Sequence, residues 1–450
     1  MDRRDFLKGL TLTSIGMGLT GAEELAAHAQ AAPQTPTFDD ELKGRQVNCA
    51  VIGMGARGKE IVSGLSKMTD KFVKVSYICD TFAAPAFVKR AQVIAPDAKF
   101  EQDYKKVLAD KAVEAVFIAT PTHKHRQIAL EAIAAGKHVY LEAPIAHTVD
   151  DAKAIAQAAQ SSTTVFQAGL QYRCNAQALH VRDFMDSAAI GKPAGGRAQF
   201  HERKSWRLDW PTPERASELN WRLDKNISTG LAGEVGIHQI DCANWYFKQL
   251  PTAISGFSHI AEYNDGRTVP DTVQLVLEYP NGVHFLYDAT LTNSFDGQYE
   301  LYYGSESAVM LRDLRAWMFR EGDAPLLGWE VFARKDPMSI GSVENKTGLL
   351  IGAGIALVAN ATKQLALGKE PGKVGTDTSK SALYLSTRQF LSSVRTGKRS
   401  WAKEPSKDHP SPPLVPGPKE GYIATVIAIK ANEAVMSGTR VVLDKELFNI

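Results

Sequence analysis

The tightest constraint on this chain is the run Gly53-Met54-Gly55-Ala56-Arg57-Gly58, which follows the apolar, strand-like run beginning at Val47 and opens a segment where Ile61, Val62 and Leu65 recur at helical spacing. In that context the first glycine permits a tight turn and the second lets backbone approach a pyrophosphate. The third lets helix pack closely on strand, while the helix N-terminus offers N–H donors and partial positive charge. A second apolar run, Phe72 to Cys79, ends at Asp80, twenty-two residues beyond Gly58. An acid there accepts from both ribose hydroxyls of a dinucleotide and repels a 2′-phosphate. Thr81 and Phe82 supply no cation to neutralise such a phosphate, so NAD is favoured over NADP.

Strand and helix patterns then alternate: strand 115–119, helix 124–135, strand 138–142, helix 149–161 and strand 165–168. The class predicted is α/β, with a doubly wound parallel sheet whose carboxyl-end turns border the ligand crevice. Met54 and Arg57 of the fingerprint, with Thr120, Pro121, His125 and Glu142 at later strand ends, complete the expected cofactor-binding set. His123 and His125 can instead cap helices, and for both a structural role is expected over a catalytic one.

A length of 450 residues suggests two or three domains. With 52 Lys plus Arg against 50 Asp plus Glu the net charge is +2, which gives no electrostatic footprint for nucleic acid. Cys49, Cys79, Cys174 and Cys242 contain no CxxC pair and read as buried thiols. The Pro-rich stretch 405–418 reads as an exposed loop, and no internal repeat is apparent.

The N-terminus, Arg3-Arg4-Asp5-Phe6-Leu7-Lys8 followed by a mildly apolar run to Gly21, resembles a twin-arginine export signal, with Asp2 where Ser or Thr is usual. The run is shorter than the roughly 20 residues needed to span a bilayer, and Ala27-His28-Ala29 or Ala29-Gln30-Ala31 suits cleavage. Removal of residues 1–31 and a periplasmic or secreted location, without a stable membrane anchor, are expected.

Several motifs in order carry a wider resemblance: the fingerprint with Asp80, Thr120 to His125, Gly136 to Pro144, Gln171-Tyr172-Arg173, and Gly236-Ile237-His238-Gln239-Ile240-Asp241. The chain resembles the glucose–fructose oxidoreductase, inositol dehydrogenase and MocA family over nearly all of its mature length. The resemblance implies a Rossmann domain over 45–170, then an α/β domain over 171–450 with a large, mostly antiparallel open sheet used for substrate binding and for homo-oligomers, dimers or tetramers. Runs 272–279, 283–290, 299–303 and 308–311 read as its strands, and helices return at 379–394 and 420–437.

In such a family a lysine of a Glu-Lys-Pro motif and a downstream carboxylate and histidine act on a carbinol. Here Ala143 stands at the lysine position, while His238 matches the histidine and Glu234 the carboxylate. If that stretch is helical, Glu234 and His238 share a face, and the carboxylate orients an imidazole that titrates near working pH. Tyr172 or Lys204 are candidates for the missing proton acceptor. Arg173, Lys204, Trp206 and Asp241 are candidate substrate contacts, within a region also holding Arg207, Trp210, Trp221 and Arg222, a mixture suited to sugar faces and hydroxyls. Those tryptophans can equally anchor a loop or an interface. Glu234, His238 and Asp241 have the spacing of metal ligands, but no metal is expected, since the family pattern is metal-free, and Asp241 is instead expected to bond to a backbone group or an Arg.

The reading is an exported NAD-dependent oxidoreductase acting on a sugar, polyol or sugar derivative. Two alternatives stay open: an NAD-dependent glycosidase working by transient oxidation, elimination and re-reduction, and a non-catalytic, cofactor-bound sugar-binding protein.

Overall fold

A computed structural model of the chain describes residues 46–68, 72–186, 189–209, 215–312, 315–321, 324–325, 343–344, 350–351, 355–358, 380–397 and 415–450. Residues 1–31, read from the sequence as resembling an export signal, Trp210 and most of the Pro-rich stretch lie outside the described residues, which belong to one unit, Thr37–Ile450. No helix among them is long and apolar enough to cross a membrane.

The first sheet holds β1 (Val47–Ile52), β2 (Val73–Cys79), β3 (Lys99–Glu101), β4 (Ala115–Ile118), β5 (His138–Glu142) and β6 (Phe166–Gly169). Every pairing is parallel and the order is β3-β2-β1-β4-β5-β6. β4 is buried at every position and β5 at all but His138. Their near-continuous apolar runs are what a parallel sheet covered on both faces requires. The intervening helices are α1 (Ala56–Ser66), α2 (Pro85–Ile94), α3 (Tyr104–Ala109), α4 (His125–Ala134) and α5 (Val149–Ser161). Strand order reverses between β1 and β4, which opens the ligand crevice at their carboxyl ends.

After α6 (Ala176–Asp186) come β7 (Pro193–His201), the short α7 (Ala216–Leu219) and α8 (Gly230–Glu234), then α9 (Ile237–Phe247). β8 (Ala253–His259), β9 (Thr272–Glu278), β10 (His284–Thr290), β11 (Gln298–Gly304), β12 (Ser307–Arg312) and β13 (Arg315–Arg320) follow. The small pair β14 (Val343–Glu344) and β15 (Leu350–Ile351) stands apart, and β16 (Ile355–Val358) and β17 (Val441–Val442) edge the large sheet. That sheet runs β16-β13-β12-β11-β7-β10-β9-β8-β17, antiparallel except where β10 pairs with β7. Its inner face packs on α9, while Phe257 and Leu286 are exposed on strands of the same sheet.

Sequence order and spatial grouping part company at the C-terminus, where the expected division at residue 170 does not divide the cores. Helix α10 (Ala382–Thr396) packs on the Rossmann sheet: Phe390 meets Phe117 edge-on at 5.2 Å and Tyr140 at 5.7 Å. Gln167 Nε2 donates to the Ser386 carbonyl at 3.0 Å, so a buried polar group of β6 is satisfied by that helix. Helix α11 (Pro418–Ser437) then serves both cores. Tyr422, Ala424, Val426 and Ala428 join the Rossmann side, and Ile427, Ala431, Ala434 and Val435 the other.

Phe390→Ala is expected to cost about 3–5 kcal/mol of stability in urea unfolding, the range for a large aromatic removed from a core. Hydrogen exchange should then rise first in β4 and β5; faster exchange confined to β9 and β10 would contradict this assignment of α10.

Candidate active site

The fingerprint turn is shaped by contacts that tolerate no side chain. Gly53 has φ +95°, and a Cβ there would lie 2.6 Å from the Ala119 carbonyl oxygen. At Gly58 a Cβ would collide with the Gly53 carbonyl, whereas at Gly55 it would meet open space. The first and third glycines therefore hold α1 against β1, and the second leaves the N-terminus of α1 approachable by a diphosphate. Met54 is fully buried, so only its backbone serves the loop. Its N–H donates to Asp80 Oδ2 at 2.8 Å, and the Phe82 N–H donates to Oδ1 at 2.9 Å. Asp80 thus ties the end of β2 to the fingerprint, and each oxygen keeps acceptor capacity for a ribose hydroxyl. These residues fit a dinucleotide.

At the other strand ends the predicted residues divide. Thr120 Oγ1 is buried without a hydrogen-bond partner among the described residues, beside the Gly53 turn. Pro121 precedes a short 3-10 turn, Thr122–Lys124. His125 is buried, with Nδ1 3.0 Å from the Pro144 carbonyl oxygen and Nε2 2.9 Å from that of Thr120. It clasps the ends of β4 and β5 together, which corrects its assignment as a cofactor contact. Glu142 is buried at the end of β5, its Oε2 3.5 Å from Arg57 Nε, and burial opposed by that guanidinium leaves its pKa at about 7.

From the second lobe, His238 stacks on Tyr172, ring centroids 5.3 Å apart and planes 24° from parallel. Gln171 Nε2 lies 3.4 Å from His238 Nε2, and Tyr172 Oη accepts from the Gln298 amide. His238 Nδ1 and the Tyr287 hydroxyl are buried without partners among the described residues. Tyr287 packs under Gly236; Gln298 and Tyr287 were not singled out in the sequence, and Gln171 was named only within a motif and given no role, because distant elements bring the three here.

The expected Glu234–His238 pair does not form. Helix α8 ends at Glu234 and α9 begins at Ile237, so the two residues do not share a helical face. Glu234 instead accepts from Thr229 Oγ1 at 2.9 Å and Thr122 Oγ1 at 3.3 Å, and lies 3.7 Å from Arg222. Nor does His238 titrate near working pH: burial, reinforced by the Arg57 charge, pushes its pKa down to about 3 and keeps the imidazole neutral.

Two predicted substrate contacts are likewise reassigned. Arg173 donates to Asp241 through Nε and a terminal nitrogen, both at 2.7 Å, and both side chains are buried. A bidentate pair of this kind holds the segment after β6 to α9. Lys204 is exposed and 3.6 Å from Glu202. Trp206, with φ +63°, packs against the second core; the Arg222 guanidinium lies 4.7 Å from the Trp221 ring and 5.9 Å from the Trp206 ring. Among the described residues no group of three or more His, Cys, Asp or Glu is arranged to hold a metal ion. All four cysteines are buried and free.

Residues 47–170 match the profile of the oxidoreductase family with an NAD-binding Rossmann fold, GFO_IDH_MocA, and residues 178–308 match the GFO/IDH/MocA C-terminal domain. The chain belongs to this family. Levoglucosan dehydrogenase of Pseudarthrobacter phenanthrenivorans is 31% identical over 144 residues, 32% of this chain and 35% of that protein. Inositol 2-dehydrogenase of Salmonella typhimurium is 27% identical over 192 residues, 41% of this chain and 56% of that protein. The matched stretches thus span less than two thirds of either relative. The fold likeness reaches further: a levoglucosan dehydrogenase structure in complex with NADH and L-sorbose covers 89% of this chain and all of its own, with TM-score 0.66 at 18% identity.

Asp80→Ala is expected to weaken NAD relative to NADP by roughly 1.5–3 kcal/mol, the scale of charge-assisted hydrogen bonds, in calorimetric titrations of both; an unchanged ratio would overturn the role of Asp80. Arg173→Ala, which leaves Asp241 buried and uncompensated, should cost about 3–5 kcal/mol in urea unfolding, and a loss well under 1 kcal/mol would contradict the pairing.

Proposed function

We propose that the protein is an exported NAD-dependent oxidoreductase that removes hydride from a carbinol carbon of a sugar, polyol or sugar derivative. The observation that carries this reading is His238 Nδ1, buried and without a partner among the described residues, on an imidazole stacked on Tyr172 and close enough to Arg57 to feel its charge. A fingerprint residue and the second-lobe histidine therefore serve one crevice. Bound NAD supplies the hydride-accepting ring; the chain supplies the pocket that orients the carbinol and handles its proton. As a neutral imidazole, His238 orients the hydroxyl by hydrogen bonding. Stacked on Tyr172, it holds a fixed angle. Arg222, on the faces of Trp221 and Trp206, keeps edge N–H donors for sugar hydroxyls.

The family relatives named for levoglucosan and inositol support a small neutral carbohydrate as substrate. The Arg3-Arg4 segment supports export, and the exposed Phe257 and Leu286 support association of copies through the large sheet. Ala143 favours one second reading, a glycosidase that oxidises a sugar carbon transiently and returns the hydride.

With NAD and levoglucosan, myo-inositol or aryl glycosides, the protein should form NADH or release aglycone. His238→Ala should lower that turnover on the order of a hundredfold, the loss typical of one pre-organised hydrogen-bonding group, with NADH affinity by fluorescence nearly unchanged. Wild-type turnover in the variant would make His238 structural.

A further inference from the structure

Residue 143 carries no amine, so the proton of an oxidised carbinol needs another destination. The neutral, desolvated His238 is a poor one. Glu142 is the better placed. It ends β5 at the crevice, and Oε1 is buried without a hydrogen-bond partner among the described residues. Oε2 faces Arg57 Nε at 3.5 Å. On the adjoining strand, a Cβ at Gly169 would lie 2.9 Å from Glu142 Cα and 3.2 Å from Oε2, so the absent side chain is what makes room for the carboxyl. Next to it Ala143 is partly exposed and small, leaving the approach to Oε1 free of a competing amine.

Building on the oxidoreductase reading, we infer that Glu142 is the proton acceptor of hydride transfer, with Arg57 holding its ionised form, the pair taking the place of an amine at position 143. The carbinol C–H bond breaks with its electron pair going to NAD. The O–H bond breaks with its proton going to Glu142 Oε1, and the C=O bond forms. The sugar is oxidised and NAD is reduced. Returning the hydride reverses each bond change, and the protonated Glu142 gives the proton back.

Burial favours the neutral acid and Arg57 the carboxylate, which leaves Glu142 titrating at about 7. The sign follows: the acid form that dominates below this range accepts no proton, so oxidation should rise with pH through the neutral range and level off above it. The cationic ring of NAD, which NADH lacks, should also bind better beside the ionised carboxylate.

The test compares wild type with Glu142→Gln and Glu142→Asp. The ratio of NAD to NADH affinity, titrated by calorimetry, should rise with pH across the neutral range by on the order of tenfold in the wild type and stay flat in Glu142→Gln. A flat wild-type ratio, or a slope unchanged in Glu142→Gln, overturns the inference, and this arm needs no substrate. In turnover with levoglucosan or myo-inositol, Glu142→Gln should lose at least about a hundredfold together with the rising limb, while Glu142→Asp keeps the limb at reduced rate. Turnover in Glu142→Gln at the wild-type level would overturn Glu142 alone. Absence of turnover in the wild type would count against the oxidoreductase reading, with the binding arm still deciding Glu142.

Discussion

The contact on which both lobes depend is helix α11 laid between two hydrophobic cores. Gly421 lets it press on β6, where a Cβ would sit 2.7 Å from Ala168 Cβ, and Thr425 Oγ1 accepts from the Ile145 N–H just past β5 at 3.0 Å. Further along the same helix, Ala431, Ala434 and Val435 belong to the core of the large sheet. Because protein interiors are close-packed, a helix shared in this way leaves little freedom between the strand ends that carry Glu142 and the elements that carry His238. The Arg173–Asp241 pair and the Thr122–Glu234 hydrogen bonds add two polar ties across the same gap.

Within that frame, Arg57 organises the electrostatics of the crevice. Its guanidinium lies next to Glu142, depresses the basicity of His238 and favours ionisation of Tyr172 against the stronger effect of burial. A permanent cation flanked by two proton-active groups, one kept neutral and one poised near neutrality, separates hydroxyl orientation from proton transfer. That separation suits a chain whose residue 143 is alanine.

The Rossmann half was legible because its signals are local. The glycine spacing, the apolar runs and Asp80 fall within single strand-turn-helix units, and the strand predicted at 138–142 is the one observed. β7 was not among the strands expected from the sequence: Pro193 and two glycines break the strand pattern, yet Gly195 and Gly196 are what let the Tyr303 and Phe285 rings lie across the strand. The site was legible residue by residue and misread in its pairings. The spacing of Glu234 and His238 suggested a shared helical face, but the break at Val235-Gly236 separates them. The expected bond of Asp241 to an arginine forms, but its partner, Arg173, was read as a substrate contact because the bond joins residues 68 positions apart. Helix α10 was placed with the second lobe by sequence order, although Phe390 completes the first core.

The central claim is that one crevice passes hydride between a carbohydrate carbon and NAD. It is tested most directly by incubating the protein with NAD and carbon-perdeuterated levoglucosan or myo-inositol, then examining the nicotinamide by mass spectrometry. The account predicts deuterium at nicotinamide C4 of the reduced cofactor captured by rapid quench, whether that reduced cofactor accumulates or exists only until the hydride is returned to the sugar. Cofactor that binds stoichiometrically and stays free of deuterium, across both sugars and a set of aryl glycosides labelled in the same way, would contradict it.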